Sequence, residues 1–241
     1  MPHVNSINQI DRIRRIKAIS FDGDMTLWDF EAVMRHSLGR ALVEIRKFLP
    51  HVGPVDLTID RMIEIRNTVA GELKSKSLSL EQIRLEGFVR TLHSVGNDQH
   101  DLAEHLSAIY LKHRFGDIEL YPDVLPTLDC LSARYVLGLV SNGNSYPDRC
   151  GLQDRLTYVV FAQDVGVEKP DPALFRVACE EAGCAPDELL HVGDSLRAGV
   201  AGAKAVGAVS VWLNRSSEPK CLDIVPDFEI RTLLELQALL N

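Results

Sequence analysis

The chain reads as an α/β protein, a doubly wound parallel sheet carrying an inserted, all-helical domain. Three observations predict this. An apolar run at residues 16–22 has the texture of a buried strand. From about residue 30 to 116 the only periodicity is helical. From about residue 120 onward, short β-branched runs alternate with helical segments.

The first strand carries Ile16, Ala18, Ile19 and Phe21 and ends abruptly in Asp22 and Asp24. The helical block divides into four. In the first helix Val33, Leu38, Ala41, Leu42, Ile45 and Leu49 follow helical spacing; Asp29 can cap it and Pro50 stops it. The second runs from about Asp56 to Gly71, with Ile59, Met62, Ile63 and Val69 on one side. Ser79 with Gln82 makes a capping box for the third, which ends near Gly96. Asp98 opens the fourth, which ends near Gly116. Four amphipathic faces of this kind pack as a small bundle. The remaining strands are "YVLGLVS" (135–141), "YVVFA" (158–162), "LLHVG" (189–193) and "AVSVWLN" (208–214), with helices at 123–133, 172–182 and 196–206 between them. Residues 1–29 and 117–241 therefore form the sheet domain and 30–116 the insertion.

Composition narrows the function. The 241 residues are 46% hydrophobic and 25% charged, ordinary for a globular protein. A net charge of -8 supplies no basic excess for nucleic acid, although a small phosphorylated ligand needs only a local positive site. No apolar run approaches the roughly 20 residues that span a bilayer. The opening "MPHVNSINQIDRIRRIK" lacks the apolar core of a signal peptide, so the expected compartment is the cytoplasm. The five cysteines, Cys130, Cys150, Cys179, Cys184 and Cys221, lack CxxC spacing and read as reduced thiols, mostly packed.

Ligands of doubly wound sheets bind beyond the carboxyl ends of the strands. Polar residues gather there: Asp22-Gly23-Asp24-Met25-Thr26 after the first strand, Ser141-Asn142-Gly143 after the second, and Gly193-Asp194-Ser195 after the fourth. Lys169-Pro170 lies in a loop before a helix. Two carboxylates two residues apart repel unless something cationic sits between them. Each piece alone has a plainer reading. The aspartates suit loops and caps, Ser-Asn-Gly suits a turn, and a lone lysine suits solvent. His191 falls inside a strand pattern and reads as a core histidine; His100, His105 and His113 lack HExxH spacing. Trp28 reads as packing where the insertion begins.

In this order and at strand ends, the four pieces resemble the haloacid dehalogenase-like hydrolase superfamily, in its phosphatase subgroup with a helical cap between the first and second motifs. "YPDVLPTLDCL…LGLVSNG", "VGVEKPDPALF" and "LLHVGDSLRAGVAGAKAVG" carry the resemblance over nearly the whole chain. It implies a Mg²⁺-dependent phosphatase of a small phosphorylated metabolite, working through an aspartyl-phosphate. Asp22 is then the nucleophile and Asp24 the general acid and base. Asp22, the Asp24 carbonyl and Asp194 hold Mg²⁺. Ser141, Asn142 and Gly143 hold phosphate oxygens, and Lys169 supplies charge against phosphate and Asp22. Arg35, Arg40, Arg66, Lys74 and Lys76 are the anion contacts on offer in the insertion.

Two departures stand out. Met25 occupies a place where these phosphatases usually have glycine, and its side chain disfavours a positive φ. After Asp194 the run Ser195-Leu196-Arg197-Ala198-Gly199 lacks the further acid that usually orients the metal shell. Alternatives within the same fold are a haloacid dehalogenase, a phosphomutase, or a catalytically weak module that binds a phosphate ligand. Dehalogenases typically lack the second aspartate, so Asp24 favours phosphate. The oligomeric state is not readable.

Overall fold

In the computed structural model, residues 11–73, 78–219 and 223–241 are described. Lys74, Lys76 and Cys221 lie outside them. The chain divides into two compact units, Met1–Asp29 with Glu119–Asn241, and Phe30–Ile118. No helix of the described residues is long and apolar enough to cross a membrane.

The first unit opens with β1 (Ala18–Phe21), in which every residue is buried. The second unit follows, with helices α1 (Phe30–Phe48), α2 (Ile59–Leu73), α3 (Leu80–His93) and α4 (His100–Gly116). Leu38, Leu42, Ile45, Met62, Phe88, Leu92, Leu106 and Tyr110 are among the side chains of one core shared by these helices. That burial, more than propensity, holds such helices together. The capping box at α3 is formed in full: Gln82 N donates to Ser79 Oγ at 3.2 Å and Ser79 N to Gln82 Oε1 at 2.8 Å. Two starts differ from the sequence reading. α2 begins at Ile59 because Asp56 turns back to accept from Gly53 N at 2.7 Å, and Thr58 Oγ1 takes Arg61 N instead. α4 is preceded by Gln99, since Asp98 is engaged with His93 Nδ1 at 2.8 Å. Of the offered anion contacts, Arg35 pairs with Glu31 and Asp60, and Arg66 lies over the Phe30 ring at 5.6 Å.

The chain returns through α5 (Val124–Leu131) to β2 (Val136–Ser141) and β3 (Tyr158–Phe161). The short α6 (Ala162–Val165) and α7 (Pro172–Ala182) lead to β4 (Leu189–Gly193). A wide turn at Leu196–Val200 runs into α8 (Ala201–Val206), and β5 (Val209–Leu213), β6 (Phe228–Ile230) and α9 (Glu235–Leu239) complete the unit. The strands form a parallel sheet in the order β3-β2-β1-β4-β5-β6. Phe21 is level with Leu139 of β2 and Val192 of β4, so Asp22, Ser141 and Asp194 all emerge at one edge. The Lys169–Pro170 peptide is cis.

Three features depart from the sequence reading. β6 is a sixth strand that the apolar runs do not announce. The expected helix over 196–206 opens as a wider coil, with Val200 N donating to Ser195 O at 3.2 Å. Met25 adopts the positive φ that its side chain disfavours, at 62°. Holding an L-residue there costs about 1–2 kcal/mol. Immediately beyond β1, Tyr121 N donates to Leu27 O at 3.0 Å and Trp28 bridges Leu120 in antiparallel register. The two points where the helical unit leaves and rejoins the sheet unit are therefore clasped together.

Candidate active site

The central strand delivers Asp22. Its amide donates to Val192 O at 2.8 Å, so β4 still holds the backbone one residue past the strand end. Its Oδ1 accepts from Gly23 N at 2.8 Å and lies 2.7 Å from Lys169 Nζ. The Lys169 side chain is only 1% exposed. Burying an ammonium is costly unless it is paired, and here it also donates to Val140 O at 2.9 Å. Asn142 splints the backbone of that lysine: Lys169 N donates to Asn142 Oδ1 at 2.7 Å, and Asn142 Nδ2 donates to Lys169 O at 3.2 Å. The Asn142 side chain is thus committed to placing Lys169, a task the sequence did not suggest.

Asp24 is fixed from the side of Trp28. The indole Nε1 donates to Asp24 Oδ1 at 2.7 Å, and Trp28 is almost wholly buried. The ring passes so close to the loop that a Cβ at Gly23 would stand 2.6 Å from Trp28 Cζ2, so only glycine fits between the two aspartates. The other carboxylate oxygen, Oδ2, faces Gly143, where a Cβ would stand 3.0 Å from it and 3.5 Å from Ser141 Oγ. Asp24 and the buried Ser141 hydroxyl therefore flank the same glycine. Ser141 Oγ accepts from Gly143 N at 3.1 Å.

Asp194 follows β4. Its amide donates to Thr26 Oγ1 at 3.2 Å and its carbonyl accepts from Trp212 Nε1 at 2.7 Å. Burial pushes its carboxyl up to about 7, with the Asp22 charge adding to the effect and Lys169 opposing it. The helical cap that follows belongs to Ser195, whose Oγ accepts from Ala198 N at 3.1 Å. The structure thus brings Asp22, Asp24, Ser141, Asn142, Gly143, Lys169 and Asp194 to one edge of the sheet.

Sequence reasoning missed three supports: the Trp28 indole, the Thr26 hydroxyl, and Arg215. Arg215 forks onto Asp123 at 2.8 and 3.0 Å and donates to Thr26 O at 2.9 Å. Chain spacing carries no signal for such links. Gly199 has a structural reason for lacking a side chain. A Cβ there would stand 3.2 Å from His191 Nε2, so aspartate at that place would press on a buried imidazole. His191 is a core residue, with Nδ1 2.9 Å from Ser20 Oγ. The four described cysteines are free, and burial pushes the Cys179 thiol up to about 12, which leaves it inert as a nucleophile.

Residues 16–207 match the haloacid dehalogenase-like hydrolase family. The chain belongs to that family. A glyceraldehyde 3-phosphate phosphatase of Methanopyrus kandleri is 31% identical over 232 residues, covering 92% of this chain and 95% of its own. The N-acylneuraminate-9-phosphatase of Mus musculus is 24% identical over 239 residues, covering 95% of both chains. Among solved structures, a 2-haloacid dehalogenase from Pseudomonas syringae superposes with a TM-score of 0.78 at 30% identity, covering 93% of this chain and 98% of its own. This haloacid dehalogenase-like hydrolase therefore has relatives named for two leaving groups, the alkoxide of a phosphate ester and a halide, and the site chemistry has to decide between them.

Proposed function

We propose that the protein is a Mg²⁺-dependent phosphatase of a small phosphorylated metabolite, working through an aspartyl-phosphate. The observation that carries this reading is the second carboxylate, Asp24, held by the Trp28 indole beside the Lys169-paired Asp22. Its Oδ2 faces Gly143, where a leaving oxygen would need a proton. A halide departs as a stable anion and needs none, so a dehalogenase has no task for Asp24.

The Asp22 carboxylate attacks phosphorus, and the ester oxygen leaves with the proton of Asp24. Asp24, now ionised, takes a proton from water, which attacks the aspartyl-phosphate and releases phosphate and Asp22. Lys169 sets its charge against Asp22 and the phosphoryl oxygens; Ser141 Oγ and the Asn142 backbone N–H bind those oxygens, with Gly143 N holding the Ser141 hydroxyl in place. The donor set at the strand edge is all oxygen, with the Asp22 charge raising the cost of ionising Asp194, and this suits Mg²⁺. Asp22, Asp194 and the Asp24 carbonyl would hold it. When bound, the ion supplies the charge that offsets repulsion between Asp22 and phosphate. The helical insertion is proposed as the cap that sets substrate range.

The relatives support phosphate. The Methanopyrus protein is named for a triose phosphate and the mouse protein for a sugar-acid phosphate. The deciding experiment incubates the purified chain, with and without Mg²⁺, with an aryl phosphate and a panel of phosphorylated metabolites. Parallel arms measure chloride release from 2-chloropropionate and phosphate transfer to a sugar hydroxyl. Inorganic phosphate should accumulate only with Mg²⁺, and Asp22→Asn should abolish it. Chloride release without phosphate release would overturn the reading in favour of a dehalogenase.

A further inference from the structure

The helical unit holds a second cluster of metal-ligating side chains, none of them part of the strand-end motifs. His36 lies on α1; His113 is in the last turn of α4, and Asp117 is the residue that caps it. His113 Nδ1 is 2.6 Å and His36 Nε2 is 3.0 Å from the same oxygen, Asp117 Oδ2. One ligand atom from each of the three lies within 4.8 Å of the others. The two imidazoles meet edge to face, with centroids 5.8 Å apart. A carboxylate at the C-terminal end of a helix opposes the helix dipole, which makes this a place that calls for positive charge. The other group of this kind among the described residues, His100, Asp101 and Glu104, sits on one exposed helical turn and offers a single imidazole.

We propose that His36, His113 and Asp117 form a binding site for a borderline divalent transition ion, with Zn²⁺ as the reference. Two imidazoles and one carboxylate are the ligand types that Zn²⁺, Co²⁺ and Ni²⁺ take, whereas Mg²⁺ and Ca²⁺ prefer oxygen throughout. An ion about 2.0–2.2 Å from each ligand needs the donor atoms roughly 3.3–3.5 Å apart. The two spacings to Asp117 Oδ2 must therefore open by less than about 1 Å, while the two imidazole nitrogens already lie within 4.8 Å of each other. His36 and Asp117, 51% and 41% exposed, have the freedom to do this, while His113, at 17%, is the anchored ligand. Solvent completes the coordination on the exposed side. The bound ion ties α1 to the end of α4 and stabilises the helical unit by mass action. This inference stands apart from the phosphatase reading and shares no residue with it.

The test uses the full chain, stripped with a chelator and titrated with Co²⁺. Cobalt held by imidazoles in four- or five-coordination absorbs visible light strongly; six-coordinate, oxygen-ligated cobalt at the strand-end carboxylates absorbs weakly. The expected result is about one equivalent of strongly absorbing Co²⁺, bleached by Zn²⁺ and untouched by excess Mg²⁺. His36→Asn and His113→Asn should each weaken binding by at least about 10-fold, and Asp194→Asn should leave it in place. His36 is exposed enough that its variant folds, which circular dichroism checks, so it decides the matter if His113→Asn does not fold. No strong band in the parent would overturn the proposal. So would a band that survives His36→Asn, or one that Asp194→Asn removes. Failure of phosphate release in the earlier assay would leave these spectra unaffected.

Discussion

Trp28 shows how much one residue can carry at this site. Its ring fills the space that only glycine at position 23 leaves, and its Nε1 holds one oxygen of Asp24. Sequence reading treats it as packing, because a hydrogen bond from an indole to a residue four places earlier in a loop leaves no periodic trace. Trp28→Phe keeps an aromatic ring, though a smaller one, and removes the donor. With an alkyl phosphate, whose leaving oxygen needs its proton, kcat/KM should fall about 10-fold or more; with an aryl phosphate it should fall much less. Equal losses on both substrates would show that Trp28 serves packing alone. His191 yields a prediction of another kind. Burial, reinforced by the nearby Lys169 charge, holds its imidazole well below the ordinary histidine range. The folded chain therefore binds fewer protons here than the unfolded chain does below pH 6.5. Stability from this residue is present above pH 6.5 and is lost as pH falls through that value toward the depressed one. Melting temperatures from pH 7.5 down to 5 should drop more steeply for the parent than for His191→Gln, and parallel curves would refute the assignment. The strand-end acids were legible because they close apolar runs, whereas Lys169, which alone suits solvent, was legible only through the order of the four motifs and the family they resemble. The contact between Gly199 and His191 was not, because the two meet only after the chain has turned.

The helices and inner strands were readable wherever periodicity ran for several residues. β1, β2, β4 and β5 are short apolar runs buried as central parallel strands should be. β6 was invisible for the opposite reason. It is three residues at the sheet edge, preceded by Pro226 and Asp227, and it carries Glu229. The wide coil after Asp194 was also hidden, since its residues keep helical spacing while the hydrogen bonds lengthen by one residue. Capping held in detail at α3, although not at the starts of α2 and α4. Ser79 and Gln82 satisfy each other's backbone amides at the start of α3. Ser79→Ala removes the hydroxyl acceptor and should cost about 1 kcal/mol. Chemical denaturation should report it as a lower midpoint with an unchanged slope. An unchanged midpoint would mean that α3 is held by its buried face alone.

At the scale of the molecule, the clasp beside β1 has a consequence for construction. Because Tyr121 N reaches Leu27 O and Trp28 bridges Leu120, the sheet unit presents the two cut ends of its chain side by side, already joined by backbone hydrogen bonds. A port of that kind accepts cargo of any length, since the entropy of bringing the ends together is met locally and grows only slowly with what hangs between them. Replacing residues 30–118 by a short glycine-rich turn should leave a sheet unit that still melts cooperatively and keeps the far-ultraviolet dichroism of a folded α/β unit. A non-cooperative melt would show that the helices are needed to complete its core. If the excised form folds, the same port becomes a graft site for foreign helical inserts, and under the proposal that the insert sets substrate range each exchange should change which esters are cleaved.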